Sequence, residues 1–104
     1  MIHLENHHYQ IVRDILKKYP FTFYAFGSRV TGTFRKFSDL DLCFFEDIPW
    51  NILSYIDEDF EESDLPYKVD VVDWKMCDEV FRSMIQKDLR IIQLGPLQKT
   101  LNIF

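Results

Sequence analysis

Apolar and polar positions divide the chain into stretches of two different periods. Over residues 3–19, Leu4, Ile11, Val12, Ile15 and Tyr19 recur at helical spacing, with Arg13, Asp14, Lys17 and Lys18 between them. That pattern predicts an amphipathic helix, ended by Pro20 because the residue before proline is pushed out of the α region. Residues 21–26 (FTFYAF) put bulky side chains on both faces, as a central strand covered on two sides requires. Gly27-Ser28 breaks the run, and Arg29 to about Phe34 has room for a short helix that Gly32 weakens. Residues 39–45 (DLDLCFF) alternate, with Asp39, Asp41 and Cys43 on one face and Leu40, Leu42 and Phe44 on the other. Pro49 and Trp50 open a second long helix with Ile52, Leu53, Ile56 and Phe60 on its buried stripe. A third strand follows over residues 67–72, where Tyr67, Val69 and Val71 oppose Lys68, Asp70 and Val72. Asp78 is placed to cap another helix, with Val80, Phe81, Met84, Ile85 and Leu89 as its stripe, and residues 91–94 read as a short edge strand.

Helices alternating with strands predict an α/β (α+β) layered domain, a small mixed β-sheet flanked by helices. A purely parallel sheet is not required, because the connection from Phe26 to Asp39 is only just long enough for a crossover. The 104 residues are read as one domain, with a core of about residues 3–94 and a tail over residues 95–104.

Composition sharpens this reading. With 47% hydrophobic residues the chain can build a proper core, and ten Phe imply either a dense core or an apolar face left for a partner. The formal net charge of -5 argues against nucleic acid as the main partner, since phosphate neutralisation needs a basic surface. Six acids in the eight residues Asp57–Asp64 read as a solvated helix end and loop, or as a docking surface for a basic partner. Cys43 and Cys77 fall within apolar patterns and read as small core residues, not as a disulfide framework. His3 and His7 stand four apart, but no third ligand of matching pattern accompanies them, so they read as a solvent-facing or partner-facing pair. No apolar run is long enough to cross a bilayer and MIHLENHH lacks the apolar core of a signal peptide, so a soluble, cytoplasmic protein is expected.

The candidate chemistry lies between Tyr24 and Phe45. Asp39 and Asp41, at i and i+2 on a strand, share a face about 6.5 Å apart along the chain. Crowded carboxylates repel each other, and a magnesium ion removes that conflict while accepting oxygen ligands. Asp70 lies between two valines on another strand, where an acid is disfavoured unless paired or bound to metal. Gly27 lets backbone approach a phosphate without a Cβ in the way, and Ser28 adds a hydroxyl at a helix start where free N–H groups favour anions. Arg29 fits a phosphate contact or a surface salt bridge, and the residues alone leave both open.

Gly27-Ser28, ten residues, then Asp39-x-Asp41, with Arg29, Gly32 and Ser38 in place, resembles the minimal nucleotidyltransferases of the DNA polymerase β-like superfamily. The stretch Val69-Asp70-Val71-Val72-Asp73 resembles the strand that carries that family's third acid. Single-domain members of this size are similar to the antitoxins of HEPN–MNT toxin–antitoxin pairs, which silence a HEPN ribonuclease by transferring AMP from ATP to a tyrosine. The resemblance implies that Asp39, Asp41 and Asp70 hold two Mg2+ ions and that Gly27, Ser28, Arg29 and Ser38 line the ATP site. Asp70 would either ligate metal or help deprotonate the attacking hydroxyl, and the parity of Asp73 puts it on the other face. With no second domain to hold an acceptor, a HEPN-domain partner in a hetero-oligomer would complete the pocket, and the apolar tail Leu101–Phe104 fits a partner surface. Two alternatives are an antitoxin that acts by binding alone and a transferase for a small hydroxyl substrate.

Overall fold

Leu40, Leu42 and Phe44 are the inward half of an alternating strand, and their burial sets where the sheet lies. The computed structural model describes residues 1–96. Its strands are β1 (Phe23–Phe26), β2 (Leu40–Phe44), β3 (Val69–Asp73) and β4 (Arg90–Gln93). They form one mixed sheet in the order β3-β2-β1-β4. β1 is central, as the bulk on both of its faces predicts, and pairs antiparallel with β2 and with β4. β2 and β3 are parallel, joined by the helix α3 (Trp50–Glu61).

One face of the sheet is sealed by α1 (Asn6–Leu16) and α3. Val12, Leu16, Phe23, Leu40, Leu42, Phe44, Ile56 and Phe60 form its core, with Ile52, Leu53 and Val71 packed around them. The other face is only half covered. There α4 (Glu79–Ile85) lays Phe81 and Ile85 over Phe26 and Cys43, and the Phe26 and Phe81 rings meet edge to face at 5.8 Å. Of the expected α4 stripe, Val80 and Met84 turn to solvent, because a seven-residue helix presents only the Phe81–Ile85 line to the sheet. No helix among the described residues is long and apolar enough to cross a membrane.

The elements are shorter than their sequence patterns, for identifiable reasons. The expected helix over residues 3–19 starts only at Asn6, because the N–H of His3 donates to the Arg29 carbonyl at 2.6 Å and holds the first residues extended. His3 and His7 therefore do not share a helix face. His3 stacks on Phe34, while His7 lies beside His8 and Glu5. At the other end, the Gln93 side-chain amide donates to the carbonyls of Leu16, Tyr19 and Phe21, which turns the chain before Pro20. Thr22 lies outside β1 because its N–H is taken by the Glu46 carboxylate.

The acidic run is not uniformly solvated. Asp59 accepts a hydrogen bond from the Tyr19 hydroxyl and pairs with Lys18 at 2.8 Å, tying α3 to the end of α1. Cys43 is buried in the smaller cluster, and Cys77 is half-buried with its thiol on the Asp73 carbonyl; both are free. Leu101–Phe104, expected as a partner surface, lies outside the described residues.

Candidate active site

The half-covered face carries the three acids. Asp39 immediately precedes β2, Asp41 lies within it, and the parallel register places Asp41 directly beside Asp70 of β3. The period of two keeps Asp39 and Asp41 on one face, and pairing with β3 brings Asp70 alongside. Asp39 and Asp70 are exposed, whereas Asp41 is half-buried. Burial, then the neighbouring Asp70, then Asp39 push the Asp41 carboxyl up to about 6. Crowding of this kind among oxygen donors is what a divalent cation relieves, and an all-carboxylate set suits magnesium over softer metals.

Gly27 ends β1 with φ at +81°, in a region that side-chain-bearing residues rarely adopt. A Cβ at this position would lie 2.5 Å from the Asp41 carboxylate oxygen. Glycine is therefore required twice over, for the turn and for its close approach to Asp41. The chain then enters α2 (Ser28–Thr31), a single turn whose first N–H groups have no intrahelical acceptor. The Ser28 hydroxyl makes no hydrogen bond to protein among the described residues. Free amides and a free hydroxyl thus border the carboxylates across the width of one glycine.

Arg29 and Ser38 have tasks that the sequence does not display. Arg29 is not on the surface: it is only 3% exposed and pairs with no carboxylate among the described residues, so the salt-bridge alternative is corrected. Its guanidinium donates to the carbonyls of Ser38 at 2.9 Å, His3 at 3.2 Å and Lys36 at 3.2 Å, and lies 3.9 Å over the Tyr67 ring. The Ser38 hydroxyl accepts from the Arg35 N–H at 2.8 Å, closing the loop that delivers Asp39. Asp73 stands apart from the carboxylate row, as its parity predicts, and its side chain accepts from the Lys75 N–H at the end of β3.

Two further features escape sequence reasoning. Asp57 on α3 comes close enough to Asp70 that its carboxyl is pushed up, by burial first and Asp70 second. Tyr24, Phe45 and Trp74 form an aromatic tier, with ring centroids at 5.1 and 4.9 Å. Tyr24 pairs with Cys43 in the register, two residues along β2 from Asp41 and on the same face, so the tier lies near the acid row. The bulk of these residues is visible in the sequence, but their convergence depends on strand order.

Comparison with known proteins agrees with this geometry. The profile of the family described as "Polymerase beta, Nucleotidyltransferase" matches residues 10–93. A protein of Haemophilus influenzae (strain ATCC 51907 / DSM 11121 / KW20 / Rd), named "Probable protein adenylyltransferase MntA", is 44% identical over 87 residues, covering 80% of this chain and 76% of that protein. In structure, the chain is similar to one in a crystal structure described as a toxin-antitoxin with AMP-PNP, at a TM-score of 0.64 and 18% identity, over 89% of this chain and 78% of that one. It is also similar to a crystal structure from Shewanella oneidensis, at a TM-score of 0.52 and 18% identity, over 93% of this chain and 79% of that one.

Proposed function

Because the chain belongs to the polymerase β nucleotidyltransferase family, we propose that it is an antitoxin-type protein adenylyltransferase. Its reaction is transfer of AMP from ATP to a tyrosine hydroxyl of a HEPN ribonuclease partner, which neutralises that partner. The observation that carries the reading is the placement of Gly27 against Asp41, with Asp70 beside Asp41 in register. A phosphate-accepting turn and a cation-demanding acid row thereby meet at one point. The name of the Haemophilus influenzae relative supports a protein acceptor.

Asp39, Asp41 and Asp70 would hold magnesium, which when bound neutralises the row and polarises the phosphate. The amides at the start of α2 and the Ser28 hydroxyl bind the triphosphate oxygens. Asp70 is exposed on an outer strand, which supports a place for it on the side of the attacking hydroxyl. The hydroxyl gives up its proton, to Asp70 or to water, as its oxygen bonds the α-phosphorus; the bond from that phosphorus to the bridging oxygen breaks, and pyrophosphate leaves. The half-open face takes a protein surface as its lid, which fits an acceptor that is itself a protein.

The test is the intact mass of a HEPN-domain protein encoded beside this chain, after incubation with the chain, ATP and magnesium. An increase by adenylyl groups is expected, absent with the Asp39→Ala/Asp41→Ala variant. A stable complex with no mass change would refute AMP transfer and leave an antitoxin that acts by occlusion.

A further inference from the structure

The fold buries one cation, Arg29, which the sequence offers as a phosphate contact or a surface salt bridge. Arg29 has no carboxylate partner among the described residues and is almost wholly removed from water. A desolvated charge persists only when hydrogen bonds and polarisable neighbours replace its hydration. Here three backbone carbonyls and two ring faces do so, with Tyr67 at 3.9 Å and Phe34 at 5.1 Å from the guanidinium carbon.

The carbonyls come from two separate segments. His3 belongs to the extended N-terminal segment, and its contact is reciprocal, since the His3 N–H donates to the Arg29 carbonyl while the Arg29 side chain donates to the His3 carbonyl. Lys36 and Ser38 belong to the loop that leads into Asp39. Asp39 has an anchor on each side: Ser38 is bonded to Arg29, and the Leu40 N–H donates to the Lys68 carbonyl at 2.9 Å. Arg29 itself sits in the turn of α2 that begins with Ser28, and Gly27 accepts the N–H groups of Val30 and Thr31 that close that turn. One side chain thus spans the phosphate-facing turn and the residue next to the first carboxylate. Lysine cannot reproduce this, because a compact ammonium lacks the planar fork that reaches several acceptors at once.

We propose that Arg29 is a positioning residue for nucleotidyl transfer, holding Asp39 at a set separation from Gly27-Ser28 by clamping residues 36–38 to α2. This rests on the nucleotidyltransferase reading above. In this proposal the residue acts through Asp39 from a buried position, in place of the direct ATP contact that the resemblance implies. Its loss lets the loop carrying Asp39 drift while Asp41, held inside β2, stays in place.

The experiment compares wild type, Arg29→Met, Arg29→Lys and a core control, Ile56→Val, at a temperature where circular dichroism shows each one folded. Two readouts are taken: Mn2+ binding to the isolated chain by electron paramagnetic resonance, and kcat and KM for AMP transfer. Removing an outer partner of a metal ligand usually weakens binding by about tenfold or more, and that loss is expected for Arg29→Met in Mn2+ affinity and in kcat. Arg29→Lys is expected between it and wild type, and Ile56→Val unchanged. Wild-type Mn2+ affinity and kcat in Arg29→Met would overturn the proposal, as would an equal loss in Ile56→Val. If Arg29→Met does not fold, Arg29→Lys decides, and wild-type values for it overturn the proposal. If wild type transfers no AMP, the functional reading fails, while the Mn2+ arm still decides the role of Arg29.

Discussion

Replacing Asp41 with asparagine should make the metal-free protein more stable while abolishing transfer. The Asp41 carboxyl is raised from its ordinary 3.8 to about 6 by burial and by Asp70 and Asp39. At 1.36 kcal/mol per unit, a shift of about two units has a ceiling of about 3 kcal/mol. Asp41 is only half-buried, and solvent screening reduces that to about 1–2 kcal/mol. Because the folded-state value lies above the unfolded one, the stability it contributes is complete below about pH 4 and is lost as pH rises through about 6. Asparagine does not ionise, so Asp41→Asn lacks that loss, and at pH 7.5 in a chelator it should melt above wild type by about 5–10 °C. The assay is a set of thermal melts of both proteins from pH 4 to pH 8, read as their difference, so that other titrating groups cancel. Excess magnesium should raise the wild-type melting temperature and close the gap, because ligand binding to the folded state adds stability. The reasoning is refuted if Asp41→Asn melts at or below wild type at pH 7.5 without metal, or if the difference does not grow between pH 4 and pH 6.

The remaining predictions concern single positions. Gly27→Ala places a Cβ 2.5 Å from the Asp41 oxygen at a positive φ, so AMP transfer should fall by at least about 100-fold with a loss of about 1–3 kcal/mol in chemical denaturation. Tyr67→Phe removes a buried hydroxyl that has no hydrogen-bond partner among the described residues, so its melting temperature should equal or exceed that of wild type. Gln93→Ala removes the side-chain amide from the carbonyls of Leu16, Tyr19 and Phe21, of which Leu16 and Tyr19 keep a backbone donor, and should cost about 1–2 kcal/mol, measured by urea titration.

Much of the site is legible in the sequence because period two is unambiguous. The alternation DLDLCFF puts Asp39 and Asp41 on one face, YKVDVV does the same for Asp70, and both parities hold in the structure. Gly27-Ser28 is legible as a break between two apolar runs. Strand order is not legible, since parity does not say that β3 lies beside β2 or that Asp70 falls opposite Asp41. Nor is the burial of Arg29, which sits in a polar stretch and owes its place to carbonyls and rings brought in from elsewhere. Helix ends were overrun because Gln93 and Arg29, distant in sequence, draw the flanking residues into other bonds. Asp57 is exposed, as the acidic run implies, but helical periodicity does not show that it lies near enough to Asp70 for that acid to add to burial in pushing its carboxyl up.

β3 is an outer strand of the sheet, and among the described residues its far side has no neighbouring strand. An open strand of mostly valine is a template for self-association, which natural proteins block with charge. In β3 the charge nearest its middle is Asp70, which is exposed, with Asp73 at the strand's end and the exposed Lys68 just before it. By that rule Asp70 is placed to oppose stacking of one copy on another. Asp70→Val should lose solubility on concentration, visible by light scattering, whereas Asp70→Asn should lose activity and stay dispersed for longer. On this reasoning an acid proposed for the metal site would have a second effect, limiting self-association through the strand that carries it.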